Sequence, residues 1–444
     1  MKTLFISLII FSISNVSFAE TLSFPMVWKQ INSDSVAQES SRLQTESLNA
    51  SKERTERHWF PKVYLDIKGY QTNDPGSSFF ALLEQRSLQQ NDFNPDAINH
   101  PNTNFYTRGA LGLDLALFEG GANTSHVDLL KYAVQAQENT TSQIQVDQYS
   151  QIGFSYGSIG ILTKQITKIH DLSSVIERFL KNYQLGNKSN PVGYSGLLGM
   201  KSLANRLTGL MSQYQAQSKS YYAVINELGL KNSNWTPEDQ NTLHFVERYF
   251  LIKNITTDSN VSYKVQSLKD NIKVSEQTAQ MEKARFLPKV GAFAEGYQFN
   301  GNRTAANGYM AGVYLQWNLF NPADYGLFKE AKLKSLAVSK SAEAFEQQER
   351  AEKLALLESI KSLQENITLL NDSYTILLEQ SKITETLFKN GSINALQIVE
   401  ILSRRTDLIV QQAEAELGLV KVATQVITKQ KFLIPNHFLA EPKE

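Results

Sequence analysis

Two periodicities run along the chain, and each occurs twice. After Pro61, Val63, Leu65 and Ile67 alternate with Tyr64, Asp66 and Lys68. Leu111, Leu113, Leu115 and Leu117 alternate with Gly112, Asp114 and Ala116. Further on, Tyr309, Ala311, Val313, Leu315, Trp317 and Leu319 alternate with Met310, Gly312, Tyr314, Gln316 and Asn318. A period of two marks a strand with one apolar and one polar face. The stretch Val290 to Tyr297 is less regular, with Phe293 and Glu295 on one side and small residues on the other. Four strands are expected, each of about ten residues, the length a tilted transmembrane β-strand needs.

The second periodicity is helical. No proline occurs from 102 to 190 or from 323 to 434. Leu356, Leu363, Leu370 and Leu377 form one heptad row, and Ile360, Ile367 and Tyr374 its partner. Beyond Gly391, Val399, Ala413, Val420 and Ile427 share one register, with Leu402, Ile409 and Ala423 in the other; Thr406 and Glu416 interrupt these rows. A strict seven-residue repeat implies left-handed coiled packing. A helix from Phe320 to Gly391 would be about 105 Å long, far beyond an ordinary globular helix.

The order strand, strand, long helix, helix is duplicated. Phe60-Pro61-Lys62-Val63 recurs as Leu287-Pro288-Lys289-Val290, and Gly69-Tyr70-Gln71 as Gly296-Tyr297-Gln298. Both matches lie at one offset, 227 residues (288 minus 61, and 296 minus 69). Leu117-Phe118 and Leu319-Phe320 match at 202 (319 minus 117), so the first repeat holds 25 extra residues between its landmarks. These fall in the polar, proline-bearing segment 74–107, which is expected to be a long tolerant loop. The expected organisation is a signal peptide (1–19), a first repeat (20–229), a mixed equatorial element (230–260), a second repeat (261–431) and a C-terminal tail (432–444).

The signal peptide rests on Met1-Lys2, an apolar run from Leu4 to Ile13, and Ser17-Phe18-Ala19, with cleavage expected after Ala19. Export changes the meaning of the composition. The 444 residues include no cysteine, which excludes a disulfide scaffold, a thiolate metal site and a Cys nucleophile. Lys plus Arg and Asp plus Glu both number 44. That balance argues against nucleic acid as a partner. Past the N-terminus no apolar run reaches 18 residues, so a helical membrane span is not expected, but a β-barrel escapes that test.

Four amphipathic strands cannot sit in a bilayer as an open sheet, because each unpaired edge group facing hydrocarbon costs several kcal/mol. Nor can four strands close a barrel. Other copies of the chain must complete both the sheet and the helical layer, most simply in a cyclic oligomer. At this point the chain resembles the TolC-like outer membrane efflux proteins, over essentially the whole mature length. The resemblance is carried by the duplicated order of Leu/Phe-Pro-Lys-Val strand, Leu-Phe-ended strand, long helix, Gly turn and helix, and most clearly by Leu387 to Val426.

The resemblance implies an α+β membrane protein: four transmembrane strands per chain in a 12-stranded trimeric barrel, with long helical hairpins forming a periplasmic tunnel. It implies a homotrimer in outer-membrane lipid, working with a periplasmic adaptor (membrane fusion) protein and an inner-membrane transporter. Matching Gly391 to the family's last turn places Gln397 and Glu400 at two acidic-ring positions of a periplasmic gate, and Phe388 at an aromatic one. Here the ring would hold one acid and one amide per chain.

Motifs of chemistry are weak. Gly153-Phe154-Ser155-Tyr156-Gly157 has the G-x-S-x-G spacing of a hydrolase elbow, but falls mid-helix by periodicity, where the motif has no strand before it. Its better use is packing. Gly153, Gly157 and Gly160 make one small helical face, and at offset 202 they meet Ala355, Ser359 and Ser362. Close approach of other chain is expected there, with the mixed element as the candidate. Gly193, Gly196 and Gly199 lack the Lys-Ser/Thr ending of a phosphate loop and suggest a loose hairpin tip. The six histidines have no metal-ligand spacing, and no cofactor loop is present. The sequence therefore supports a non-enzymatic, cofactor-free exit duct for efflux or type I secretion. The competing class is a periplasmic coiled-coil structural or adaptor protein, which leaves the four strands unexplained.

Overall fold

The computed structural model of the chain describes residues 20–183, 189–231, 234–250 and 261–434. The expected signal peptide lies outside them, as does most of the expected tail. In chain order the elements are β1 (Glu20–Leu22), α1 (Phe24–Ser33), α2 (Val36–Glu56), β2 (Lys62–Thr72), α3 (Pro75–Glu84), α4 (Pro95–Asn99), β3 (Asn104–Glu119), α5 (Ala122–Asn182) and α6 (Pro191–Glu227). Then come β4 (Trp235–Pro237), α7 (Thr242–Phe250), α8 (Tyr263–Ala284), β5 (Lys289–Asn300), β6 (Ala305–Gln316), α9 (Leu327–Lys389) and α10 (Ala395–Thr428). The long helices run 61 residues in α5 and 63 in α9. None of the described helices is long and apolar enough to cross a membrane.

The chain forms two compact units, and each draws on both halves of the sequence. Of the described residues, the first unit takes those within 20–41, 140–265 and 345–434, and the second takes 42–139 and 266–344.

The first unit is helical and has a dense aromatic core. Phe24 is fully buried and its ring lies 5.1–6.1 Å from those of Tyr149, Tyr156, Phe245, Tyr249 and Phe250. Edge-to-face pairs of this kind add to the burial of large apolar surface. The short strands β1 and β4 pair in parallel beside this core, Leu22 opposite Pro237. A second cluster joins α5, α6 and α10 through Leu162, Ile169, Leu172, Leu203, Leu402 and Ile409. In α9 the heptad positions Ile360 and Ile367 are buried, while Leu356, Leu363 and Leu370 are half-buried. The two residues that interrupt the α10 rows are enclosed as well. Thr406 is buried and its hydroxyl donates to the Leu402 carbonyl at 3.0 Å. Burial pushes the Glu416 carboxyl up, against the pull of Lys168 and Lys164.

The glycine row of α6 departs from the expectation of a loose tip. Asn190 caps the helix by accepting from the Gly193 amide at 3.1 Å, and Pro191 occupies the first turn. A Cβ on Gly196 would collide with Ala395, and one on Gly199 would sit 3.2 Å from Val399. The glycines let α6 lie against the start of α10, so the row is a packing surface.

The second unit holds an antiparallel sheet in the order β2-β3-β5-β6. Its strands have 11, 16, 12 and 12 residues. The last ends at Gln316, so the alternation that the sequence carries on to Leu319 outruns the ladder. The two hairpins differ. β5 and β6 are joined by residues 301–304, whereas 73–103 between β2 and β3 contain α3 and α4. This segment is folded, not a loose loop. Asp74 caps α3 by accepting from the Ser77 amide at 2.7 Å, and Asn94 caps α4.

Candidate functional site: the sheet faces and the hairpin tip

Register assigns the two faces of the sheet. Val63 lies opposite Leu113, and Leu65 opposite Leu111. Leu113 lies opposite Ala294, and Ala294 opposite Ala311. This apolar face continues through Leu115, Ala292, Val313 and Leu315. It is open: Leu65 is 68% exposed, Ile67 72% and Val313 77%. Soluble surfaces rarely carry so continuous an apolar patch. Among the described residues β2 and β6 pair on one side only, so both edges of the sheet are free.

The opposite face is polar and aromatic. The Tyr64 hydroxyl donates to Glu295 at 2.9 Å, Arg108 pairs with the same carboxylate, and the Arg108 guanidinium lies 5.1 Å from the Tyr297 ring centre. Lys68 pairs with Asp66 at 2.9 Å. Four aromatic rings on this face each cover a glycine on the next strand: Tyr64 on Gly112, Tyr314 on Gly291, Tyr297 on Gly308 and Phe293 on Gly312. An aromatic ring over a cross-strand glycine restores contacts the glycine cannot make and pins register. The sequence reasoning missed these pairs. A Gly at every crossing was the available signal, but pairing partners are not visible before register is known.

The helical tip is described separately. Gly391 has φ +77°, and its amide donates to the Phe388 carbonyl while that of Ser392 reaches back to Leu387. A glycine suits this left-handed position after a helix. Asn394 then caps α10 by accepting from the Leu396 and Gln397 amides at 3.0 and 3.1 Å. Gln397 answers with its side-chain oxygen on the Asn394 amide at 3.0 Å, completing a capping box. Glu400 stands one turn on, exposed, and pairs with Arg404 at 2.9 Å. Gln397 and Glu400 thus share an exposed face, while Gln397 also has a structural task. Phe388 does not project freely: its ring meets Phe179 edge-on at 5.3 Å and stacks with Tyr183 at 5.9 Å. It fastens the end of α9 to the end of α5 within one chain, beside a cavity of about 830 Å³.

The small faces of α5 and α9 have different surroundings. A Cβ on Gly153 would sit 2.5 Å from Phe250, and one on Gly157 would sit 2.7 Å from Phe245; Gly160 lies under Pro237. The segment carrying β4 and α7 therefore packs against α5 at these glycines. Ala355, Ser359 and Ser362 are exposed, with none of the described residues covering them. Small residues at matched positions signal possible closeness, but only where a neighbour arrives. Ser155 lies inside α5, without the strand-turn-helix setting of a nucleophile elbow. Tyr156 is the polar anchor here: its hydroxyl donates to the Leu22 carbonyl at 2.8 Å and accepts from the Glu238 amide at 2.9 Å. Among the described residues no group of acidic or histidine side chains is arranged to hold a metal.

The chain matches no protein-family model and no curated protein sequence. Its fold is similar to that of CusC, a protein that forms a transmembrane channel, with a TM-score of 0.75 at 10% identity over 92% of each chain. It is similar to the outer membrane protein VceC from Vibrio cholerae (TM-score 0.73, 11% identity, 92% of this chain and 97% of that). It is similar also to the outer-membrane channel OprN (TM-score 0.72, 13% identity, 91% and 89%). The fold is TolC-like, as the order of landmarks in the sequence led us to expect.

Proposed function

We propose that this chain is a passive exit duct of the outer membrane, with no enzymatic step of its own. Three copies contribute four strands each to a 12-stranded barrel, and their helical hairpins form a tunnel in the periplasm. An inner-membrane transporter supplies the energy, and a periplasmic adaptor joins the two. The observation that carries this reading is the sheet: one continuous apolar face left open, one polar face, and two unpaired edges. The open apolar face and the unpaired edges are liabilities in a lone water-soluble chain, and both are met by closure into a barrel in lipid, with the polar face turned to a water-filled lumen. A periplasmic coiled-coil protein would have no use for such a sheet.

At the tip, we assign Glu400 to a ring of three carboxylates near the tunnel mouth. Arg404 accompanies each of them, so the ring attracts cations less than bare carboxylates would. Gln397→Glu should strengthen that attraction without loosening α10, because Glu serves at the same capping position. Phe388→Ala should loosen closure by freeing the end of α9 from α5. Glu400→Gln should lower cation selectivity.

The test is direct. The mature chain, extracted from outer membranes in mild detergent, should run as a trimer and form pores in planar bilayers. A stable water-soluble monomer would refute the barrel. Unchanged cation selectivity and cation block in the Glu400→Gln pore would remove Glu400 from the lumen while leaving the duct in place.

A further inference from the structure

The folded segment between β2 and β3 is mounted on a definite side of the sheet. Ala81 of α3 forms a small buried core with Tyr106 and Phe299. Tyr106 lies opposite Tyr70, on the face that carries Tyr64 and Arg108, and Phe299 is in step with Glu295 and Tyr297. The cap is therefore folded over the polar face, the one that would line the lumen.

Its attachment is specific. Gln85 is buried, and its side-chain oxygen accepts from the Arg303 and Thr304 amides at 3.0 and 3.2 Å. The Thr304 hydroxyl donates to the Gln85 carbonyl at 2.7 Å. Arg303 grips the cap with both ends of its guanidinium, donating to the two oxygens of Asp92 and, at 2.8 Å, to the Ser87 carbonyl. The short turn of one hairpin thus clamps the long insertion of the other.

The amphipathicity of α3 is inverted. Its buried positions are Ser78 and Ala81, with Gln85 just beyond. Its outward face carries Phe80, 64% exposed, and Leu83; Phe93, 61% exposed, continues the patch through Phe79, 5.9 Å away. A helix that hides small residues and presents phenylalanines is made to meet a second apolar surface. Geometry names that surface. Twelve strands about 4.8 Å apart and tilted about 40° close at a radius of about 12 Å. A helix lying on the inner wall is itself about 10 Å across. Three such helices reach the axis together.

We infer that the Phe80–Leu83–Phe93 patches of the three copies pack on one another across the axis and shut the outer mouth of the barrel, each cap being held in place by Arg303 of its own chain. This inference rests on the trimeric duct proposed above.

The absence of cysteine makes a single introduced cysteine a unique reporter. Met310→Cys places it on the polar face, opposite Glu295. Asn91→Cys places it at an exposed position of the cap. Intact cells would be treated with a polyethylene glycol maleimide too bulky to enter the periplasm. With the cap unaltered, Met310→Cys should label about tenfold or more slower than Asn91→Cys, as for a site behind a closed local structure. Adding Arg303→Ala should bring its rate close to that of Asn91→Cys. Adding Phe80→Ser with Phe93→Ser should do the same while leaving the clamp intact, and serves should Arg303→Ala fail to fold. Equal rates with the cap unaltered, or slow labelling that survives the Phe80/Phe93 pair, would overturn the closure. Labelling of Asn91→Cys only after lysis would overturn the outer-membrane reading along with it.

Discussion

The two compact units treat hydrophobic residues in opposite ways. The helical unit encloses its aromatics: Phe24, Trp28, Tyr149, Tyr156 and Phe250 are all buried within one chain. The sheet unit displays large apolar side chains: Leu65, Ile67, Val313 and Leu315 lie open on one face, and Phe80 and Phe93 on the cap. The first pattern describes a core that a single chain completes. The second describes surfaces that acquire their environment only from lipid or from further copies. Stability should then be separable into a part local to one chain and a part that exists only in the assembly.

The most severe test of that division is inside the helical core. Trp28→Ala removes a fully buried side chain and should cost about 3–5 kcal/mol, read as a lowered melting point of the helical signal in detergent. If the core were instead completed by other copies, the loss would vanish with dissociation. On the sheet, Leu65→Arg should cost about 2–4 kcal/mol in the bilayer and reduce insertion, seen as less trimer in outer-membrane fractions. The same change at Met310, on the polar face, should be tolerated. Equal damage from both would mean that the faces are wrongly assigned. A smaller effect is expected of Tyr156→Phe, which leaves the Leu22 carbonyl and the Glu238 amide without their shared partner. About 1–3 kcal/mol should be lost, with faster hydrogen exchange at Glu238.

The smallest effect is a dependence on pH. The Arg303 guanidinium holds the Asp92 carboxyl below the usual carboxylate range, against the cost of burial and with help from the Gln89 amide. A carboxyl lowered in the folded state contributes stability that is present above its unfolded pKa and lost as pH falls through its lowered value. The cap should stay attached at neutral and mildly acid pH and loosen only below the ordinary carboxylate range. Exchange of the Gln89 amide, which donates to Asp92 at 2.7 Å, reports this once corrected for intrinsic pH effects. Loosening already near pH 6 would point to another group.

Much of the fold was legible because it is written in periods. Alternation at Val63–Lys68 and Leu111–Leu117 depends only on a pleated strand having two faces, and the heptads of α9 only on the pitch of a helix. The duplicated landmarks fixed the order of the elements, and Gly391 marked its turn because few residues adopt that backbone. What the sequence could not supply was the neighbour of each surface. Gly153 and Ala355 look alike as small residues on long helices, yet one lies under Phe250 and the other is open. Phe388 could be placed at a tip, but only folding showed it spent on Phe179 and Tyr183. Segment 74–107 looked like tolerant loop because its polarity is local information. That Gln85 is buried and that Asp92 meets Arg303, 211 residues away, follows from chain closure in three dimensions. Period is a property of the chain, whereas partnership is a property of the fold.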